Sequence, residues 1–135
     1  MRASMAWLTA GLMVFGVVTG AVAANLTDKV KVEIEGADRQ PGMEPGMYVC
    51  AAGHLHIKGT VQNVADVALG RIKVAGKAFD SEGKLLGTAN ASTTKPTLKP
   101  GEKAGFDLEF VTVTGARIEQ VKKREIRVVD APVAR

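Results

Sequence analysis

The sequence is poor in cysteine and in aromatic residues. Cys50 is the only cysteine among 135 residues, so an internal disulfide is excluded. Phenylalanine, tyrosine and tryptophan together make up 4% of the chain, which is too little for an aromatic-lined binding groove. The fold must therefore be stabilised by strand pairing and by the packing of aliphatic side chains.

Motifs of the common enzyme classes are also missing. The chain has no G-x-S-x-G, no H-E-x-x-H and no G-x-G-x-x-G that opens a helix. Cys50 could act as a nucleophile with His54 or His56 as its base, but a productive pair needs a fixed third group and an oxyanion site. The sequence shows neither of these. We therefore expect no enzymatic activity and no catalytic residues.

The first residues have the pattern of a secretory signal peptide. Arg2 precedes an apolar run, and Ala21-Val22-Ala23 forms an A-x-A cleavage site. Residues 1–23 are therefore predicted to be a signal peptide, and the protein to be periplasmic or secreted. An uncleaved membrane anchor is the alternative, because the run from 5 to 24 is just long enough to span a bilayer. The predicted location and the mild net charge of +4 argue against a nucleic-acid partner.

The rest of the chain alternates apolar and polar residues in short runs separated by glycine and proline. Val30, Val32 and Ile34 alternate with charged residues, and Leu55 and Ile57 alternate with histidines. A period of two is typical of a half-buried strand, and six or seven such runs predict an all-β sandwich. The predicted organisation is an N-terminal strand and Gly/Pro-rich loop (24–53), a β-sandwich (54–130) and a C-terminal tail (131–135), with 24–130 as one folding unit.

Three segments resemble a known family: GTVQN at 59–63, FDSEGK at 79–84 and LKPGE at 98–102. Together they resemble an FxLYD-type domain, an immunoglobulin-like β-sandwich of exported bacterial proteins, over residues 54–130. The chain departs from the naming motif, because Gly76 and Ala78 stand where phenylalanine and leucine are expected. The resemblance implies an immunoglobulin-like antiparallel β-sandwich of about six to seven strands and no enzymatic site.

The stretch PGMEPGMYVCAAGHLH, residues 41–56, collects side chains that bind metals. On a strand, His54 and His56 point to the same face, so both imidazoles could reach one ion. A thiolate and two thioethers are soft ligands suited to Cu(I). A periplasmic copper-binding protein is therefore the alternative function, and its candidate ligands are Cys50, His54, His56, Met43 and Met47.

The leading hypothesis is a non-enzymatic exported binding or assembly module. It would display the 36–53 loop and its sheet edges to an envelope or extracellular protein, for example by β-augmentation. The residues expected to contact that partner are Met43, Met47, Tyr48 and Cys50. A homodimer linked through Cys50 is a further alternative, because an unpaired thiol in an oxidising compartment can form an intermolecular disulfide. The basic run 122–124, with Arg127 beyond it, is either a solvated strand entry or a contact for acidic lipid or polysaccharide.

Overall fold

A computed structural model describes residues 25–34 and 43–135 of the chain. The predicted signal peptide, 1–23, lies outside these residues. The described residues form seven strands, a short 3₁₀ helix (Thr27–Lys29) and a short α-helix, α1 (Ala116–Gln120). The strands are β1 (Val30–Ile34), β2 (Met47–Val49), β3 (His54–Asn63), β4 (Lys73–Phe79), β5 (Leu85–Ser92), β6 (Lys103–Thr114) and β7 (Lys123–Asp130).

The strands form two antiparallel sheets. In the first sheet, β3 lies in the centre and pairs with β6 along one side. Its other side is shared by two strands, because β1 pairs with residues 59–63 and β2 with residues 55–57. The second sheet has the order β5-β4-β7. This architecture confirms the predicted all-β sandwich of six to seven strands.

The core lies between the two sheets and is built from the alternating inward residues. Leu55, Ile57 and Val61 of β3 are fully buried, as the period of two predicts. Gly76 of β4 faces the first sheet, and a β-carbon there would lie 2.8 Å from Leu108 Cδ1 and 3.0 Å from Phe110 Cζ. Glycine at this position therefore has a packing reason, since side chains of β6 already fill the space.

The turn motifs have the structural roles that their sequences predict. Asp80 Oδ1 accepts hydrogen bonds from the backbone N–H groups of Glu82 and Lys84, both at 2.9 Å, and thereby closes the β4–β5 hairpin. Glu102 accepts from the Lys99 N–H at 2.9 Å in the turn before β6. Gly101 in that turn has φ of 84°, a value that favours glycine.

Two segments differ from the prediction. The predicted loop over 36–53 contains a strand, β2, which pairs with the start of β3. The predicted tail is joined to the sandwich: Ala131 is fully buried, and isolated bridges join Asn25 to Pro132 and Leu69 to Val133. Neither feature has a strong sequence pattern, because three-residue strands and single bridges are too short to show a period.

Among the described residues, no helix has both the length and the apolar character needed to cross a membrane.

Candidate metal site on the first sheet

Two histidines and two carboxylates meet on the outward face of the first sheet. Because Leu55 and Ile57 are buried in the core, the alternation along β3 turns His54 and His56 to the opposite face. The strand register then places His56 beside Glu109 of β6 and beside Tyr48 of β2. We call the outward group of six side chains the β3–β6 cluster; it consists of Tyr48, Cys50, His54, His56, Asp107 and Glu109.

One nitrogen of His56 is held by a carboxylate. His56 Nδ1 lies 2.8 Å from Asp107 Oδ1. Because an ionised carboxylate can only accept, Nδ1 carries a hydrogen and donates a hydrogen bond to Asp107. The Tyr48 hydroxyl donates to the other oxygen of Asp107, and its ring stacks on the imidazole with 4.6 Å between the ring centroids. These contacts fix both the orientation and the tautomer of His56.

The second nitrogen, His56 Nε2, is buried and has no hydrogen-bond partner in the described part of the chain. The whole side chain is only 12% exposed, so water does not replace the missing partner easily. Glu109 Oε2 is 3.7 Å away. Ligand atoms of Cys50, His56 and Glu109 all lie within 4.8 Å of one another. The Nε2 lone pair is thus directed toward a thiol and a carboxylate.

Cys50 is brought over His56 by a tight turn between β2 and β3. The Cys50 N–H donates to the His54 carbonyl at 3.1 Å, and the Gly53 N–H donates to the Cys50 carbonyl at 2.9 Å. Gly53 has φ of 87°, which allows the chain to reverse there. Backbone hydrogen bonding from His54 lowers the pKa of the Cys50 thiol; burial opposes this shift, and the neighbouring His56 imidazole adds to it. The cluster therefore makes the thiolate, the form that binds metals, easier to reach than in an ordinary cysteine.

The two aromatic groups beside Asp107 have shifted acidities. Burial, followed by the hydrogen bond to Asp107, raises the pKa of Tyr48 well above its usual range, so the phenol remains a donor. Burial alone would lower the pKa of His56. The hydrogen bond to Asp107 and the nearby Cys50 thiol together outweigh burial, so the pKa of His56 is raised above its ordinary value of 6.5.

The other predicted ligands occupy different positions. His54 Nδ1 lies 2.7 Å from Glu109 Oε2, so His54 holds the carboxylate. Met47 is 4% exposed and belongs to the core, on the opposite face of β2 from Tyr48. Met43 packs against the same core. The structure therefore brings together Cys50 and the two histidines, and places both thioethers on the core side of the sheet.

Asp107 and Glu109 were not predicted to belong to the site. The sequence shows them as polar residues that alternate with the apolar residues of β6, which predicts that they point outward. Their place beside the histidines depends on the register between β3 and β6, two strands that are about fifty residues apart in the chain. A period of two does not determine that register. The third group that sequence reasoning could not identify beside Cys50 and His56 is Asp107.

Comparisons with known protein families, with curated proteins and with solved structures give no match for this chain. The fold and the cluster therefore define it as an all-β sandwich that carries a thiol–imidazole–carboxylate group on one sheet. The resemblance to FxLYD-type domains stays a prediction.

Replacement of Asp107 by asparagine should make the loss of stability depend on pH. The raised pKa of His56 means that protonated His56 stabilises the folded state fully below its unfolded pKa of about 6.5, and that this contribution is lost as the pH rises through the folded value. Urea unfolding of the metal-free protein should therefore show a larger loss for Asp107→Asn at pH 6 than at pH 8. The His56 pKa, followed by NMR, should fall in the variant, because the carboxylate that favours the imidazolium is gone. An equal loss at both pH values would contradict the assigned pairing.

Proposed function

We propose that this protein is a non-enzymatic β-sandwich module that binds one divalent transition-metal ion through Cys50, His56 and Glu109. The observation that supports the proposal is the buried Nε2 of His56, which has no hydrogen-bond partner among the described residues. It faces the Cys50 thiol and the Glu109 carboxylate, and the ligand atoms of the three residues lie within 4.8 Å of one another. A metal ion would use a lone pair that is otherwise desolvated without a partner.

The surroundings of His56 match those of a metal-ligating histidine. Such histidines donate their other ring nitrogen to a carboxylate or carbonyl, which fixes the tautomer and increases the basicity of the ligating nitrogen. Asp107 holds Nδ1 in this way, and Tyr48 holds Asp107. His54 has the equivalent role toward Glu109. Both proposed nitrogen and oxygen ligands are thus oriented before an ion arrives.

The donor atoms favour zinc over Cu(I). One sulfur, one nitrogen and one oxygen form a mixed set that suits Zn²⁺, which is usually tetrahedral and would keep one position open for water or for a partner's ligand. Cu(I) prefers soft thioether and thiolate ligands. With Met43 and Met47 packed into the core, the predicted copper set loses two of its five members. Cu²⁺ would also bind this set, since it generally exceeds Zn²⁺ in affinity.

The predicted export of the chain is compatible with this proposal. In a periplasmic or extracellular compartment, a bound ion would also protect the single thiol from oxidation and from intermolecular disulfide formation. The display of the 36–53 loop to a partner protein remains a separate prediction. Met47 would not take part in it, because its side chain is buried in the folded chain.

Titration of the purified, reduced protein with Co²⁺ tests the proposal. Cobalt reports a bound thiolate through charge-transfer absorption in the near ultraviolet, and Zn²⁺ should displace it with one-to-one stoichiometry. Cys50→Ser and His56→Gln should each lower the affinity more than about a hundredfold, because each removes a ligand. His54→Gln is the matched histidine control. This variant should lower the metal affinity only about tenfold, as is typical of a residue that orients a ligand.

Two outcomes would overturn the assignment. The first is the absence of a thiolate–cobalt band in a folded protein, as judged by circular dichroism. The second is an equal loss of affinity in His54→Gln and His56→Gln, which would indicate a simple His-x-His site on the solvent face.

A second candidate function uses Cys50 as a nucleophile. Cys50, His56 and Asp107 stand in the order nucleophile, base and orienting carboxylate. Incubation of the metal-free protein with an activated ester, followed by mass spectrometry, separates the two candidates. Acylation of Cys50 with release of the acid over repeated turnovers would support catalysis. A stable adduct, or none, would favour the metal site.

A further inference from the structure

The outward face of the second sheet carries a row of cations. On β4, Lys73 and Lys77 are exposed, and on the neighbouring strand β7, Lys123 and Arg127 are exposed. The buried residues of β4 alternate with these, so the two lysines point away from the core. The basic residues that the sequence places in two separate segments therefore share one face.

The strand register arranges the four cations in a zigzag. Arg127 lies opposite Ala75, and Lys123 lies opposite Phe79. Measured along the direction of β4, one cation therefore occurs every two residues, and successive cations alternate between β4 and β7. A step of two residues rises about 7 Å, so the row extends over about 20 Å. We call these four side chains, Lys73, Lys77, Lys123 and Arg127, the cation track.

The charges of the track are not neutralised locally. Glu125 lies opposite Lys77 and Asp130 opposite Lys73, but no ion pair within 4.0 Å joins any cation of the track to a carboxylate of residues 25–34 or 43–135. Asp130 instead accepts a hydrogen bond from Asn25 at 3.1 Å.

The first sheet differs in its electrostatics. Lys31 and Lys103 both pair with Glu33, at 3.5 and 3.4 Å. The histidines of that sheet pair with Asp107 and Glu109. These paired groups of the first sheet contrast with the four cations of the track, none of which has an ion pair with a carboxylate of the described residues.

Small hydrogen-bonding side chains run parallel to the track. On β5, Ser92 lies opposite Lys73, Asn90 opposite Ala75 and Thr88 opposite Lys77, and all three are exposed. The face therefore combines a line of cations with a line of hydroxyl and amide groups. Short side chains on β5 and Ala75 in the centre leave the surface between the cations shallow.

We propose that this face binds a linear acidic polysaccharide. Carboxylate or sulfate groups spaced along such a chain would contact the cation track, and the sugar hydroxyls would contact Thr88, Asn90 and Ser92. The linear order of the cations and the parallel polar row match a polymer better than a lipid surface, which has no preferred direction. A single-stranded nucleic acid would need exposed aromatic rings for base stacking, whereas Phe79 is half-buried beneath Lys123.

Binding of the purified protein to polygalacturonate oligomers, a linear polyuronate, tests this inference. Isothermal titration at low salt should show saturable binding, and raising the salt from about 50 to 200 mM should weaken it severalfold, since the contacts are ionic. Lys77→Gln combined with Arg127→Gln should lower the affinity about tenfold. The matched control is Lys31→Gln combined with Lys103→Gln, which removes the same amount of charge from the first sheet. It should lower the affinity for polygalacturonate less than about threefold.

Three results would overturn the proposal. One is the absence of saturable binding to polygalacturonate. Another is an equal loss in the two double variants, which would show that only the net charge matters. The third is tighter binding to phosphatidylglycerol vesicles or to a single-stranded oligonucleotide than to polygalacturonate. None of these three results depends on metal binding, because the cation track lies on the second sheet and shares no residue with the proposed metal site.

Discussion

Asn63→Ala should lower the free energy of unfolding by about 3 kcal/mol. Asn63 ends β3 and is fully buried, and its side chain is satisfied by backbone groups alone. Its amide donates to the carbonyls of Val67 and Leu98 at 2.9 and 3.0 Å, and its carbonyl accepts from the Ala65 N–H at 2.8 Å. Alanine removes all three bonds at once, and a buried N–H without a partner is costly.

The side chain of Asn63 also connects separate parts of the fold. Its amide reaches the Val67 carbonyl in the 64–69 loop and the Leu98 carbonyl at the start of the 98–102 turn. Loss of the side chain should therefore loosen the 64–69 loop and the 98–102 turn together. Thermal unfolding should show a decrease in Tm of roughly 10 °C or more. Asn90→Ala is the matched control, because Asn90 is exposed on β5 and its replacement should change stability by less than about 0.5 kcal/mol. Similar losses in both variants would contradict the assigned role.

Gly59→Ala should destabilise the protein by a similar amount and should release β1. A β-carbon at Gly59 would lie 2.5 Å from the Glu33 carbonyl oxygen of β1 and 2.8 Å from Phe106 Cζ. The phenylalanine ring can shift, but the carbonyl belongs to the strand paired with β3 at this position. The strand must therefore move away, and we expect a loss of about 3 kcal/mol, at the upper end of the overpacking range.

Hydrogen exchange provides the specific readout for this variant. The amides of Val30–Ile34 should lose protection even against local opening in Gly59→Ala, whereas exchange of the β4 amides should accelerate only in proportion to the loss of global stability. Gly105→Ala is the control on the neighbouring strand, because the nearest atom to its β-carbon would be 3.8 Å away. That variant should be neutral or gain up to about 1 kcal/mol. If β1 remained protected in Gly59→Ala, the proposed steric clash would be wrong.

The two proposed sites lie on opposite faces of the sandwich and differ in their electrostatic design. On the first sheet each imidazole of the β3–β6 cluster is matched by a carboxylate, which holds the ligating atoms in place. On the second sheet no ion pair joins the cations of the track to a carboxylate of the described residues, which leaves their charges available for an anionic chain. A single module could therefore bind a metal ion and a polymer at the same time, because the sandwich core separates the two sites.

Much of the fold could be predicted from local patterns. The alternation of Leu55 and Ile57 with His54 and His56 correctly placed the first pair in the core and the second on the outer face. The turn sequences at 79–84 and 98–102 correctly marked a hairpin and a tight turn. The β2 strand was not predicted, because three residues give no periodic signal and because its pairing partner provides most of its stabilisation.

The candidate site could be predicted only in part. Cys50 and the histidines lie within seven residues of one another, so a period of two and a turn are enough to bring them to one face. The same period separates Met47 from Tyr48, so the Met47 thioether points into the core, and Met43, which precedes β2, packs against that core. The alternation along β2 became apparent only when its pairing with β3 was known.

The sequence by itself determined the strands other than β2, their inward residues and the local grouping of Cys50 with His54 and His56, because these depend on periods of two and on turn residues. Only the tertiary structure decided which groups face them. The register of β3 against β6 brought Asp107 and Glu109 to the histidines, and the register of β4 against β7 aligned the cations of two distant segments. Pairing between distant strands depends on the packing of the whole core, so the chemistry of both faces could not be determined from either segment alone.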